Sequence, residues 1–225
     1  VSLDEMNADA GNDCWGWTDP STGKEYALMG LDNGTAFVDI SEPTQPIYLG
    51  KLPTETIPTV WRDIKVYKDH AFIVADFNSN TPGNDKNHGI QVFDLNILNG
   101  TSKPTNFAHD FLYLEHGQAH NIAINEESGF AYSVGTNTFE GGLHVLDISD
   151  PKNPTFSVGY QSEGYTHDAQ VVNYKGPDVD HQGKEIFIGS NGRHPQEDDK
   201  VVIIDVSDKK NIQTITSFSY PNTGY

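Results

Sequence analysis

Four stretches of the chain close an alternating apolar run on an aspartate. They read TAFVDIS, IQVFDLN, LHVLDIS and VIIDVS, and the aspartates are Asp39, Asp94, Asp147 and Asp205. The intervals are 55, 53 and 58 residues, so one structural unit recurs four times, and a recurring unit constrains the architecture before any local reading does. Each of these strands follows another, in KEYALMG, HAFIVAD, GFAYSVG and KEIFIGS. Ahead of that lies a third, in DIKVYK, NIAINE and DAQVVN, with CWGWTD as its degenerate form in the first unit. A turn and a fourth apolar segment follow the aspartate, in EPTQPIYLGKL, SKPTNFAHDFLYL, DPKNPTFSVGY and DKKNIQTITSF.

β-Branched and aromatic residues fill these runs and Pro and Gly punctuate them, as strands and turns require. No stretch keeps a 3.6-residue apolar period for a helix of ordinary length, so almost no helix is expected. Four short strands per unit, repeated, describe the blades of an all-β β-propeller. The expected organisation is a single domain over 1–225, with blades at 12–52, 61–115, 119–160 and 166–219. Glu163-Gly164-Tyr165 leads into the fourth unit, and Thr223-Gly224-Tyr225 repeats that lead-in after its last strand. A larger ring is therefore expected, the alternative being four blades closed by the N-terminal segment or a partner chain.

Composition removes several function classes. With 32 acidic against 14 basic side chains, the formal charge is -18, and a polyanion would have to bind against that field, which excludes nucleic acid as a main partner. Cys14 is the sole cysteine, so neither an internal disulfide framework nor a thiolate metal cluster is available. No apolar run reaches the length of a membrane span.

Several strings together carry a family resemblance over nearly the whole chain. NDCWGWTDPSTGKEYALMGLDNGTAFVDIS, WRDIKVYKDHAFIV, HGIQVFDL, AHNIAINEESGFAYSVG, GGLHVLDISDPKNPTF and GYTHDAQVVNYKGPD resemble the LVIVD-repeat proteins of the choice-of-anchor B family. The resemblance implies a secreted or surface-attached bacterial propeller. It brings no catalytic residue with it.

Aligning the first strands of the four units brings Asn12-Asp13, Arg62-Asp63, His120-Asn121 and His167-Asp168 to one depth. Adjacent residues on a strand face opposite sides, so each pair can reach into both neighbouring blades at the channel mouth. One direction pairs Arg62 with Asp13, His120 with Asp63 and His167 with Asn121. The other pairs Asn12 with Asp63, Arg62 with Asn121 and His120 with Asp168. A structural network and a ligand site are both open readings, because buried polar groups cost about 1–3 kcal/mol each when unpaired. His120, His167 and Asp168 are also suitable donors for a transition metal.

The loop DFNSNTPGNDKNHG offers Asp76, Asn78, Asn80 and Asp85 as oxygen donors for calcium. Thr81 stands where an EF-hand has its glycine and no glutamate closes the site, so an ordinary turn-rich loop is the competing reading. Asp39, Asp94, Asp147 and Asp205 are expected to cap the turns after their strands. Cys14 is expected to be a buried small apolar residue. Trp15, Trp17 and Trp61 are expected to pack between blades, the alternative being stacking on a sugar or aromatic ligand.

No serine elbow or phosphate-binding glycine loop is present. The expected function is a binding scaffold for a protein, glycan or small-molecule partner. The alternatives are an enzyme, as metal-assisted hydrolase or oxidoreductase, at the same residues, and a self-associating structural subunit.

Overall fold

The structure is a computed structural model that describes residues 1–77, 87–192 and 199–219. It forms two compact units, Val1–Gln118 and Ala119–Tyr225. The first unit opens with a one-turn helix, α1 (Leu3–Met6), held by a capping box in which Ser2 and Glu5 satisfy each other's backbone N–H groups.

The first sheet comprises β1 (Gly11–Thr18), β2 (Glu25–Leu31), β3 (Gly34–Asp39) and β4 (Ile47–Pro53). The second comprises β5 (Arg62–Tyr67), β6 (His70–Ala75) and β7 (Ile90–Asp94), then, after β8 (Thr105–Asn106), β9 (Phe111–Tyr113). Each is an antiparallel meander in chain order, with one exception: β8 leaves its own blade and pairs parallel with β4 as a fifth strand of the first sheet. The segment SKPTNFAHDFLYL thus divides between two sheets instead of forming one fourth strand. Thr105 and Asn106 cover the outer edge of the first sheet, an edge that would otherwise present unpaired backbone groups.

Between these sheets lies a core that includes Trp17, Tyr26, Leu28, Phe37, Ile64, Ile73 and Phe93. Phe37 stacks on Phe93 with 4.7 Å between centroids, and Phe107, two residues beyond β8's start, meets Phe37 edge-on at 5.5 Å.

The second unit has two four-stranded meanders. One is β10 (Asn121–Asn125), β11 (Phe130–Val134), β12 (Leu143–Asp147) and β13 (Thr155–Tyr160). The other is β14 (Thr166–Asn173), β15 (Glu185–Asn191), β16 (Lys200–Asp205) and β17 (Gln213–Ser219). Ala123, Tyr132, Val145, Phe187, Val202 and Ile204 belong to the core between them.

The four recurring aspartates share one task. Oδ1 of Asp39, Asp94, Asp147 and Asp205 accepts the amide N–H two residues on, from Ser41, Asn96, Ser149 and Ser207, at 2.9–3.1 Å. This Asx turn ends the third strand and starts the crossing to the fourth. In three sheets the other oxygen faces a basic group beside the second strand. Lys24 lies 3.1 Å from Asp39, His70 4.0 Å from Asp94, and Lys184 3.0 Å from Asp205.

These contacts make stability acid-sensitive. Burial acts to raise Asp39 and Asp205, but hydrogen bonds from Ser41 and Ser207 and the nearby Lys24 and Lys184 outweigh it, leaving both carboxyls below their ordinary range. Hydrogen bonding by Ser149 does the same for Asp147. A carboxyl depressed in the folded state stabilises above its unfolded pKa, and that contribution disappears as pH falls through the folded value. Thermal melts are therefore expected to be insensitive to these groups above about pH 5 and to fall steeply below about pH 4. Asp147→Asn, which keeps the turn's acceptor, should reduce the steepness; a melting temperature that holds constant from pH 5 to pH 3 would refute this account.

Candidate functional site

The residues aligned by sequence lie at the start of the first strand of each sheet. In the first unit they are Asn12 and Asp13 in β1, and Arg62 and Asp63 in β5. The register of β1 against β2 slips between Gly11 and Cys14, so Asn12 and Asp13 sit on a bulge, a device that re-aims side chains at sheet ends.

The bulge does not bring Asp13 to the Arg62 guanidinium. Asp13 Oδ2 instead accepts the Ile64 amide at 2.9 Å, and Asn12 Nδ2 donates to the Arg62 carbonyl at 3.3 Å. Both therefore tie β1 to the β5 backbone. Asp63 Oδ1 accepts from Lys65 Nζ at 2.6 Å and from the Ile64 amide at 2.9 Å.

Arg62 is 1% exposed. Its Nε donates to the Leu31 carbonyl at 3.0 Å and its Nη1 to His88 Nε2 at 2.8 Å. His88 is held by two backbone bonds to the Gly117 carbonyl, from its own amide and that of Gly89. Burial, then the charge of Arg62, pushes its pKa down to about 3, so the ring is neutral. Its Nδ1 lies 3.2 Å from the Gly89 carbonyl and donates there, which leaves Nε2 as the acceptor for Arg62. The sequence reading missed His88 because it stands in the loop read for turn residues. The legible signal was a buried-type strand, GIQVF, following directly on a histidine.

In the second unit, His120 immediately precedes β10, which Asn121 opens, while His167 and Asp168 lie in β14. The two imidazoles meet, with centroids 4.1 Å apart and planes tilted by 49°. A second bulge, between Thr166 and Asp168, accounts for the contact by placing His167 outside the regular register. Tyr165 completes the cluster. A Cβ on Gly135, at φ +61°, would come within 2.5 Å of His120 Cβ and 3.0 Å of the Tyr165 hydroxyl, so only glycine lets both side chains close over this turn.

Two of the hydrogen bonds expected around these histidines are not made. The buried Asn121 Oδ1 has no hydrogen-bond partner among the described residues, so His167 does not bond to it. Asp168 is exposed and accepts the Ala169 amide at 2.7 Å, not His120. The expected His120–Asp63 bond joins residues of different units and stays a proposal.

Among the described residues, no three His, Cys, Asp or Glu side chains gather as a metal site. Of the calcium candidates, Asp76 is described, and its amide donates to the Trp61 carbonyl. Asn78, Asn80 and Asp85 lie outside the described residues.

Cys14 is exposed, contrary to expectation. It shares an open face of β1 with Gly16 and Thr18, opposite the face that carries Trp15 and Trp17. Of the tryptophans, only Trp17 is core: it stacks on Tyr26 at 5.2 Å and donates Nε1–H to Asp69. Trp15 and Trp61 are 39% and 53% exposed.

Four-stranded antiparallel meanders, each closed by the same aspartate turn, make this an all-β protein of the β-propeller class. Within it, residues 24–54 and 116–162 match the LVIVD repeat, covering β2 to β4 and the whole of the β10 to β13 sheet. No curated protein matches the chain. Among solved structures, it is similar to a candidate exo-β-1,3-galactanase from Bifidobacterium bifidum s17, with a TM-score of 0.49 and 13% identity over 95% of this chain and 73% of that one. It is also similar to the N-terminal domain of Nup159, with a TM-score of 0.42 and 12% identity over 84% of this chain and 44% of that one.

Proposed function

We propose that the chain is a binding scaffold whose candidate ligand contacts lie at strand starts: Arg62 and Asp63 at β5 in the first unit and, separately, His120, Asn121, His167 and Asp168 at β10 and β14 in the second. The observation that carries this reading is unused hydrogen-bonding capacity at these strand starts. Arg62 Nη2 and Asn121 Oδ1 are buried without hydrogen-bond partners among the described residues, although such groups cost about 1–3 kcal/mol each when unpaired.

The LVIVD repeat supports placing this activity outside the cell or at its surface, with a protein, glycan or small molecule as partner. No helix among the described residues is long and apolar enough to cross a membrane.

The test is a thermal-shift panel of glycans, peptides, small organic acids and calcium on the wild-type chain and on His120→Ala/His167→Ala. At least one class is expected to raise the melting temperature saturably, by about 2–4 °C per kcal/mol of binding free energy. The double variant should lose that response while melting close to wild type without ligand. A panel without a saturable response, or a response equal in both proteins, would remove the reading.

A further inference from the structure

A guanidinium taken out of water costs several kcal/mol unless charge or hydrogen bonds compensate it. Arg62 is compensated only in part. Its two bonded nitrogens reach a carbonyl and a neutral imidazole, which supply dipoles but no countercharge, and among the described residues Nη2 has no acceptor. Asp32 lends its charge to Arg62, but none of the nearby carboxylates among these residues is hydrogen-bonded to the guanidinium. Asp32 Oδ1 accepts the amides of Asp9 and Ala10, Asp13 serves the Ile64 amide, and Asp63 serves Lys65. The charge persists, since burial, partly offset by the charge of Asp32, lowers the Arg62 pKa only to about 10.

The result is a buried cation with an open donor, inside a chain of net charge -18. That field opposes each negative charge a ligand brings, so a monoanion is favoured over a phosphate dianion or a polyanion. A planar group with two acceptor oxygens suits the N–H geometry of a guanidinium.

We propose that Arg62 Nη2 is the recognition point for a ligand carboxylate, borne by a small organic acid or by a peptide C-terminus. The inference rests on the binding reading above and names the chemistry that one of its strand starts selects. His88 is the positioning residue: its Nε2 fixes Nη1, and so turns Nη2 toward the ligand.

The chain has two arginines, Arg62 and Arg193, so arginine-selective 15N labelling yields two guanidinium signals. Arg193→Lys leaves the Arg62 signal alone, which assigns it without disturbing the buried site. Acetate is titrated at constant pH and ionic strength, with chloride as the balancing anion. The Arg62 signal should move saturably while the Arg193 signal does not, and Arg62→Lys should bind acetate at least about tenfold more weakly. Acetyl-glycyl-glycine supplies the second arm: tighter binding than acetate assigns a peptide C-terminus, and equal or weaker binding assigns a free acid.

An Arg62 signal indifferent to both compounds, or both arginine signals drifting together without saturation, overturns the proposal. If Arg62 is silent while a ligand is still lost in His120→Ala/His167→Ala, the carboxylate inference fails alone. Silence in both experiments fails the binding reading as well.

Discussion

Glu185→Ala is expected to destabilise the second unit by about 3–5 kcal/mol, because it removes one partner of a buried ion pair and strands several donors at once. Glu185 opens β15 and is 6% exposed. Its Oε1 accepts from Asn125 Nδ2 at 2.8 Å, Ser128 Oγ at 2.7 Å and Tyr132 OH at 2.8 Å, all on the neighbouring sheet. Its Oε2 lies 2.7 Å from Lys209 Nζ, whose side chain is 12% exposed and lies over the Phe130 ring. Without the carboxylate, the ammonium has the Val206 carbonyl at 2.7 Å and no opposite charge in its place. Tyr132→Phe, which removes one donor and little volume, should cost only about 1–1.5 kcal/mol. Urea denaturation followed by tyrosine fluorescence and circular dichroism gives both numbers, and a loss below about 1 kcal/mol for Glu185→Ala would show that the hub is not what joins these sheets.

The contrast between Glu185 and Arg62 bears on which polar clusters serve the fold. Both Glu185 oxygens are bonded, and the groups they meet belong to the two sheets they join. Among the described residues, Arg62 has an open donor and no carboxylate hydrogen-bonded to it. Neither difference is visible in sequence, where both are charged residues at strand starts.

What was legible depended on whether it repeated. Strands and turns were, because the aspartate turn is local: Asp147 and Ser149 are two residues apart, and their bond recurs with Asp39, Asp94 and Asp205. The period-2 pattern fixed which residues point inward, and it placed His120 and His167 in adjacent sheets at one depth, where their rings meet. The absence of the His167–Asn121 and His120–Asp168 bonds was not legible, since a bulge at His167 changes which way its side chain points without changing the residues on either side. His88 escaped because its role comes from a loop docking under β5, a contact that occurs once. Cys14 was misplaced because apolar character was taken for burial in a strand that has one open face. The division of the SKPTNFAHDFLYL segment between two sheets was likewise hidden, as nothing in two residues announces which edge they will pair with.

That crossing strand carries the other large expected effect. Gly50→Val should cost the first unit about 4 kcal/mol, combining left-handed backbone strain in a β-branched residue with the loss of a packed aromatic. Gly50 has φ +126°, and a Cβ there would lie 1.9 Å from the Thr105 carbonyl oxygen and 2.5 Å from its nitrogen. The obstacle is backbone, so it cannot rotate away; β8 must leave β4. With it goes the Phe107 amide bond to the Lys51 carbonyl at 2.9 Å, which holds the Phe107 ring 5.2 Å from Phe93 and edge-on to Phe37. Phe107→Ala alone should cost about 3 kcal/mol. If the two changes act through the same strand, the double variant will lose clearly less than the sum of the single losses, as coupled neighbours do. Limited proteolysis supplies an independent readout, since a released β8 should be cut near Lys103 under conditions that leave the wild-type chain whole. Full additivity, or Gly50→Val within about 1 kcal/mol of wild type, would mean that the fifth strand contributes little to the first unit.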